Sequence, residues 1–264
     1  MNEHDIFLKL HNTYEKKALR ILLKEFKRIS RNLPIELLTP TNAETILNLA
    51  VNESELEKTL FKVHLTIGQS YGNLEARRYR KIIREQKKWK PLALFNTKFQ
   101  DFLLKYYKKF GGEQIKLLSE TYIETIVSAI KEATIENETV IQMRDRIYKA
   151  VNKPDFYRWQ ALRIARTETT FAMNSAKQIS GEVSGVTMEK VWVTAVDGRE
   201  RDAHRVANDK AVEQNAFFIV GGEKMLYPGD RANGASVRNL VNCRCSFGYR
   251  AKRDSEGNII YNDL

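Results

Sequence analysis

Only two cysteines occur among the 264 residues, Cys243 and Cys245, and a single residue separates them. Two thiols so close together cannot build a disulfide framework, which points to synthesis in a reducing compartment. No apolar run approaches the roughly 20 residues needed to span a bilayer. The opening stretch MNEHDIFLKLHNTYEKKALR carries acidic residues in a polar-interrupted pattern, which is not that of a signal peptide. Internal repeats and low-complexity tracts are absent as well. What remains has the composition of an ordinary globular chain, 42% hydrophobic, 29% charged and 10% aromatic. It is long enough for one or two domains with a substantial core.

Positive charge is in excess, and it is unevenly spread. The formal net charge is +11, of which residues 1–110 supply +10. A concentrated positive field suits a polyanion such as nucleic acid, or an acidic protein surface. A lysine-rich, solvated helical face accounts for the same composition. The densest stretch is EARRYRKIIREQKKWK, where Arg77, Lys81, Arg84 and Lys88 recur at i, i+4, i+7 and i+11 and so share one helix face. With Arg78, Arg80 and Lys87 they form a candidate stripe for phosphates, which follows the backbone without reading bases.

Helical periodicity dominates the first two thirds. Phe7, Leu10, Tyr14, Ala18, Leu22, Phe26 and Ile29 mark a first helix that Pro34 stops. Thr41 with Glu44 and Ser54 with Glu57 read as two capped helix starts, and the second helix extends to about Lys88. A further helix over about 96–107 is expected to end at Gly111-Gly112. Two more helices follow, then a last one from Asp155 to Gly181. Beyond it, EKVWVTAV, AFFIV, KMLYP and CRCSFGYR are short aromatic or β-branched runs and read as strands, with VGGEK as a hairpin turn. The fold class expected is α+β: a basic helical arm over 1–110, then a module over 111–264 with helices in 111–181 and strands in 186–262.

On a strand the two thiols would point to one face, with Asn242 and Arg244 on the other. They read as small core residues, as half of a metal site, or as a strained local disulfide. In RIARTETTFAMNSA, Arg166 and Glu168 are two apart and do not pair on the helix. Each is expected to bond to the module that follows. The segment WVTAVDGRERDAH groups Asp197, Arg199 and His204 in a pattern that can resemble a hydrolase centre. It does not assemble the converging carboxylates of a metal-dependent nuclease, nor the helix-start setting of an activated thiolate.

The ordered motifs GGEQIKLLSETYIETIVSAI, IARTETTFAMNSA, W…D…R…H, YPGD and NCRC resemble the phage Mu protein F-like family of minor head, or head morphogenesis, proteins. The resemblance covers about 111–250. It implies a non-catalytic component of a tailed-phage virion or prophage, made in the host cytoplasm and housed inside the head. The implied partners are the portal protein, the capsid interior and double-stranded DNA during packaging, retention or delivery. It puts Arg166, Glu168, Trp192, Asp197, Arg199, His204, Asp230, Asn242, Cys243 and Cys245 on the family pattern. Some relatives carry a further cysteine pair that would complete a zinc site. Here His204, Cys243 and Cys245 give three candidate ligands, with Asp197, Asp202 or Asp230 as a possible fourth. No cofactor is firmly implied, and packing of the thiols is the preferred reading over zinc. The alternative function is a nuclease or toxin-like transferase using the Asp197/His204 region.

Overall fold

A computed structural model describes residues 3–262 apart from 40, 83–90, 153 and 197. Within that span it describes side chains except at 3, 4, 30, 80–82, 91–93, 111–118, 121, 122, 125, 148, 151, 152 and 154–160. The elements are α1 (Glu3–Arg31), a short 3-10 turn (Ile35–Leu37), α2 (Ala43–Ala50), α3 (Glu53–Ile82), α4 (Pro91–Ile135), α5 (Val140–Asn152) and α6 (Pro154–Glu182). They are followed by β1 (Met188–Val193), α7 (Asp202–Ala207), β2 (Ala211–Glu213), β3 (Phe218–Val220), β4 (Glu223–Met225), α8 (Val237–Leu240) and β5 (Ser246–Ala251). The class is α+β, as the patterning predicts. Among the described residues no helix is long and apolar enough to cross a membrane.

The chain packs as two compact units, one of residues 1–18, 62–106 and 163–264, the other of 19–61 and 107–162. Residue 110, the expected junction between arm and module, lies inside α4. That helix runs on through Gly111-Gly112, where a stop was expected. Each glycine costs a helix about 1 kcal/mol, which flanking turns can carry.

In the first unit, α3 and α4 meet at a seam the sequence pattern did not reveal. Gly68 and Gly72 lie one turn apart on α3, and a methyl group on either would fall inside the rings of Phe99 and Phe95. Those rings stack on each other at 5.5 Å. Two glycines therefore open a groove that aromatic area fills. Phe102 and Tyr106 continue the ladder to Phe171 of α6, at 6.2 and 4.5 Å between ring centroids.

The sheet has the order β2-β1-β5, antiparallel throughout. β3 and β4 form a separate hairpin whose turn is Gly221-Gly222, both at positive φ. VGGEK is thus the hairpin turn expected. β2 was missed: three residues of mixed exposure carry too little period for a sequence reading. The helix end expected at Gly181 falls one residue on, at Glu182. A side chain at Gly181 would collide with the Tyr249 ring of β5, 2.6 Å away.

In the second unit, Leu22, Phe26, Ile29, Leu33, Leu47 and Leu60 are among the buried residues, as are Ile126 and Ile130 of α4. The helix starts differ from those expected at Thr41/Glu44 and Ser54/Glu57. Asn42 is the N-cap of α2, and its side-chain oxygen turns back to the Thr39 N–H at 2.7 Å. Asn52 accepts from the Glu55 N–H at the start of α3. A reciprocal capping box is formed at α5 instead, where Gln142 accepts from the Thr139 N–H and the Thr139 hydroxyl accepts from the Gln142 N–H.

Candidate metal centre

From Ala165 to Ser180 almost every residue of α6 is buried, and many of them are polar: Thr167, Glu168, Thr169, Thr170, Asn174, Ser175, Lys177 and Gln178. Polar groups removed from water on every side must find partners inside the protein. The Thr169 hydroxyl finds none among the described residues, while partners for the others come from two directions, and the candidate site lies where they meet.

Arg166 grips Glu15 of α1 with a bidentate pair at 3.0 and 3.2 Å and reaches Asn242 Oδ1 with Nη1. Glu168 accepts from both terminal nitrogens of Arg231 at 3.0 and 2.7 Å, and from His64 Nε2 of α3 at 2.7 Å. Burial alone would raise its carboxyl pKa. The Arg231 charge and the His64 bond outweigh that and hold it at about 2. Burial lowers the pKa of His64 despite the carboxylate, so it stays neutral and donates through Nε2–H. The two α6 residues do bond to the later module, as expected. Their partners on α1 and α3 were not foreseen.

One turn on, His11 of α1 meets Thr170 Oγ1 at 2.9 Å, and the Thr170 hydroxyl donates to the Cys243 carbonyl. Asn174 donates to the carbonyls of Cys245 and Pro228, both at 3.0 Å. The Thr167 hydroxyl accepts from the Asn242 N–H at 3.0 Å. The side chains of α6 thus take the backbone groups of residues 242–245 that a neighbouring strand would otherwise bond. That is why β5 begins only at Ser246, and why the expected strand through Cys243 is absent. Asn242 sits at φ 59°, a left-handed conformation that asparagine tolerates.

The thiols converge nevertheless. Cys243 and Cys245 are free and buried, and His204 of α7 projects between them. His204 Nδ1 lies 3.3 Å from Cys245 Sγ and 3.7 Å from Cys243 Sγ. All three donor atoms lie within 4.8 Å of one another. His204 Nε2 is 3.2 Å from Asn239 Oδ1. The hydrogen bond between the sulfurs, with the Arg201 and Arg244 charges adding to it, lowers the pKa of the Cys243 thiol. The same bond and burial push Cys245 up. Trp192 closes one side, packing edge-on against His204 at 5.6 Å and Phe218 at 5.2 Å.

The other anticipated residues fall around this centre. Asp230 organises the YPGD turn, accepting from the Leu226 and Ala232 N–H groups and from Asn233 Nδ2. Gly229 in that turn has φ 88°, and a Cβ there would stand 3.2 Å from the Phe171 backbone nitrogen, so the turn rests directly on α6. Asp202 is exposed and pairs with Arg205. Arg199 is exposed on the loop between β1 and α7, and Asp197 lies outside the described residues. Of the basic stripe, Arg77 is exposed on α3, while Arg78 bonds the buried carboxylate of Glu75 at 3.0 Å. The side chains of Arg80 and Lys81, and all of Arg84, Lys87 and Lys88, lie outside the described residues.

Sequence reasoning missed His11, Glu15, His64, Arg231 and Asn239. One signal was available: His11 and Glu15 stand four apart on the stripe that also buries Phe7 and Ala18, marking polar positions on a face meant for the interior.

No curated protein and no solved structure matches the chain. Residues 121–248 match the model of the family described as Phage Mu protein F like protein. That segment contains the polar face of α6, His204, the YPGD turn and both cysteines, and over it the chain is similar to the Phage Mu protein F like family.

Proposed function

We propose that this protein is a minor head component of a tailed phage or prophage. In this reading it acts at the portal vertex inside the virion during head morphogenesis and DNA packaging, retention or delivery. The family match over 121–248 carries this reading. The residues on the family pattern favour a scaffold over an active site. Both ring nitrogens of buried His204 are engaged internally, so the imidazole has no free atom to offer an outside substrate. The nuclease or transferase alternative would need a general base other than His204.

Non-specific contact with packaged DNA rests on the basic N-terminal helices. Besides Arg77, α1 displays Arg20, Lys24, Lys27 and Arg31, all exposed, at the same i, i+4, i+7, i+11 spacing. The opposite face of α1 buries Leu22, Phe26 and Ile29. At 1.5 Å per residue the exposed row spans about 16 Å, enough to lie along several phosphates. The remaining partners proposed are the portal protein and the capsid interior.

The test is binding of the full chain to mixed-sequence duplex DNA across a salt series. Replacing Arg20, Lys24, Lys27 and Arg31 with Gln should weaken binding equally for unrelated sequences. It should also reduce the log–log salt slope by up to about 3.6, at roughly 0.9 for each phosphate no longer neutralised. An unchanged affinity and slope would remove DNA binding by this face. Retained capture of the cognate portal by the same variant would assign portal docking to other surfaces.

A further inference from the structure

The geometry points to a zinc site formed by His204 Nδ1, Cys243 Sγ and Cys245 Sγ, which pins α7 to the segment leading into β5. The first observation is the shape of the donor set. Zn–S bonds of about 2.3 Å and a Zn–N bond of about 2.0–2.1 Å at tetrahedral angles require N···S edges of about 3.6 Å. The two N···S separations are 3.3 and 3.7 Å. The sulfurs lie within 4.8 Å of each other, against the edge of about 3.8 Å that a tetrahedral zinc requires, so a cation between the three atoms needs at most about 1 Å of sulfur movement.

The second observation fixes which nitrogen faces the sulfurs, and in what form. The Asn239 amide donates through Nδ2 to Glu223 Oε2 at 2.7 Å and to the Val220 carbonyl at 3.3 Å. Its Oδ1 must therefore accept, so His204 Nε2 carries the proton and donates to it. That leaves the Nδ1 lone pair directed at the two thiols. An imidazole whose remote N–H is held by a protein acceptor, with its lone pair aimed at soft donors, is the arrangement that metal-ligating histidines adopt. Two thiolates with one imidazole favour zinc over hard cations.

The third observation is the support behind the ligands. The Cys243 and Cys245 carbonyls are each tied to α6, through Thr170 and Asn174, so the sulfurs are positioned before any metal arrives. Neither Asp202, which pairs with Arg205, nor Asp230, which is taken up by its own turn, is placed to close the tetrahedron. The fourth position falls to water or another oxygen donor. The donors are buried, which suits a structural ion.

The experiment uses the full chain, purified without a metal-binding tag and exposed to equimolar zinc before desalting. One zinc per chain is expected by elemental analysis. Cobalt substitution should give the sulfur-to-cobalt charge-transfer absorption that requires thiolate ligands. A chelator should lower the thermal midpoint and expose both thiols to titration, and added zinc should reverse both effects. Cys243→Ser and His204→Ala should lose the metal. Because a folding defect in either would mimic loss of a ligand, Asn239→Ala provides a second measurement. It keeps all three donors, and its zinc affinity should fall about 10–100-fold in competition with a chromophoric chelator. Wild-type protein that retains no zinc, with a thermal midpoint indifferent to chelator, would overturn the proposal and leave a hydrogen-bonded thiol–imidazole cluster. Zinc that binds equally well to Cys243→Ser would overturn it too.

Discussion

Replacing Glu168 with alanine would strip Arg231 and His64 of their common acceptor in the interior of the first unit. The carboxylate side chain is 7% exposed and the Arg231 side chain 15%, so water cannot replace what is lost. Removing one partner of a buried pair costs about 3–5 kcal/mol, because the other charge remains desolvated and unpaired. For a chain of this size that lowers the thermal midpoint by roughly 10 °C. Arg231→Ala should cost a similar amount. The double substitution Glu168→Leu/Arg231→Met should recover part of the loss, since a buried pair replaced by apolar groups of similar volume is often neutral, while the buried His64 N–H still lacks its acceptor. Acid adds an independent reading. The Glu168 carboxyl is lowered from its ordinary 4.5 to about 2, so its contribution is fully present above pH 4.5 and is lost as pH falls towards 2. The shift corresponds to about 3 kcal/mol. Glu168→Gln should therefore flatten the acid limb of a urea-midpoint against pH curve. A Glu168→Ala loss below about 1 kcal/mol, or strict additivity of the single variants, would refute the idea that this pair ties α6 to the YPGD turn.

Three further outcomes are expected. Burial, reinforced by the Arg166 and Arg244 charges, lowers the pKa of His11 to about 3, so the unfolded chain binds a proton the folded chain refuses between pH 6.5 and 3. Stability should fall across that window by up to about 1.4 kcal/mol per pH unit, and a His11→Gln chain with an unchanged slope would reject this. Gly229→Ala forces a side chain into a left-handed turn against the α6 backbone and should cost about 1–3 kcal/mol; a neutral result by urea denaturation would show that the turn can retreat. A fragment starting at residue 111 lacks Glu15, His11 and His64, so it should show lost near-UV dichroism and early proteolysis, and a cooperative, protease-resistant fragment would count against that dependence.

Periodicity and motif order made several features readable from the chain alone. The helices around Phe7–Ile29 and Leu56–Tyr71 were legible because apolar side chains recur at the helical period, which is a local property. The Gly221-Gly222 hairpin was legible because only glycine enters both left-handed positions without strain. The ordered motifs identified the family region without any knowledge of tertiary packing. Tertiary structure decided the rest, because the deciding interactions join residues far apart in sequence. The reason for glycine at 68 and 72 is the arrival of Phe99 and Phe95 from α4. Gly181 reads as the end of a helix, and the Tyr249 ring that occupies the space of its missing side chain is a tertiary feature. His11, Glu15 and His64 read as breaks in apolar stripes. They become necessary only when the polar face of α6 is buried against them, since a desolvated carboxylate or guanidinium must be paired wherever the partner lies. The motif resemblance groups Cys243 and Cys245 with His204, but the backbone that brings them together is a tertiary matter. Thr170 and Asn174 hold that backbone off the sheet, and His204, some forty residues earlier, comes to lie beside both sulfurs.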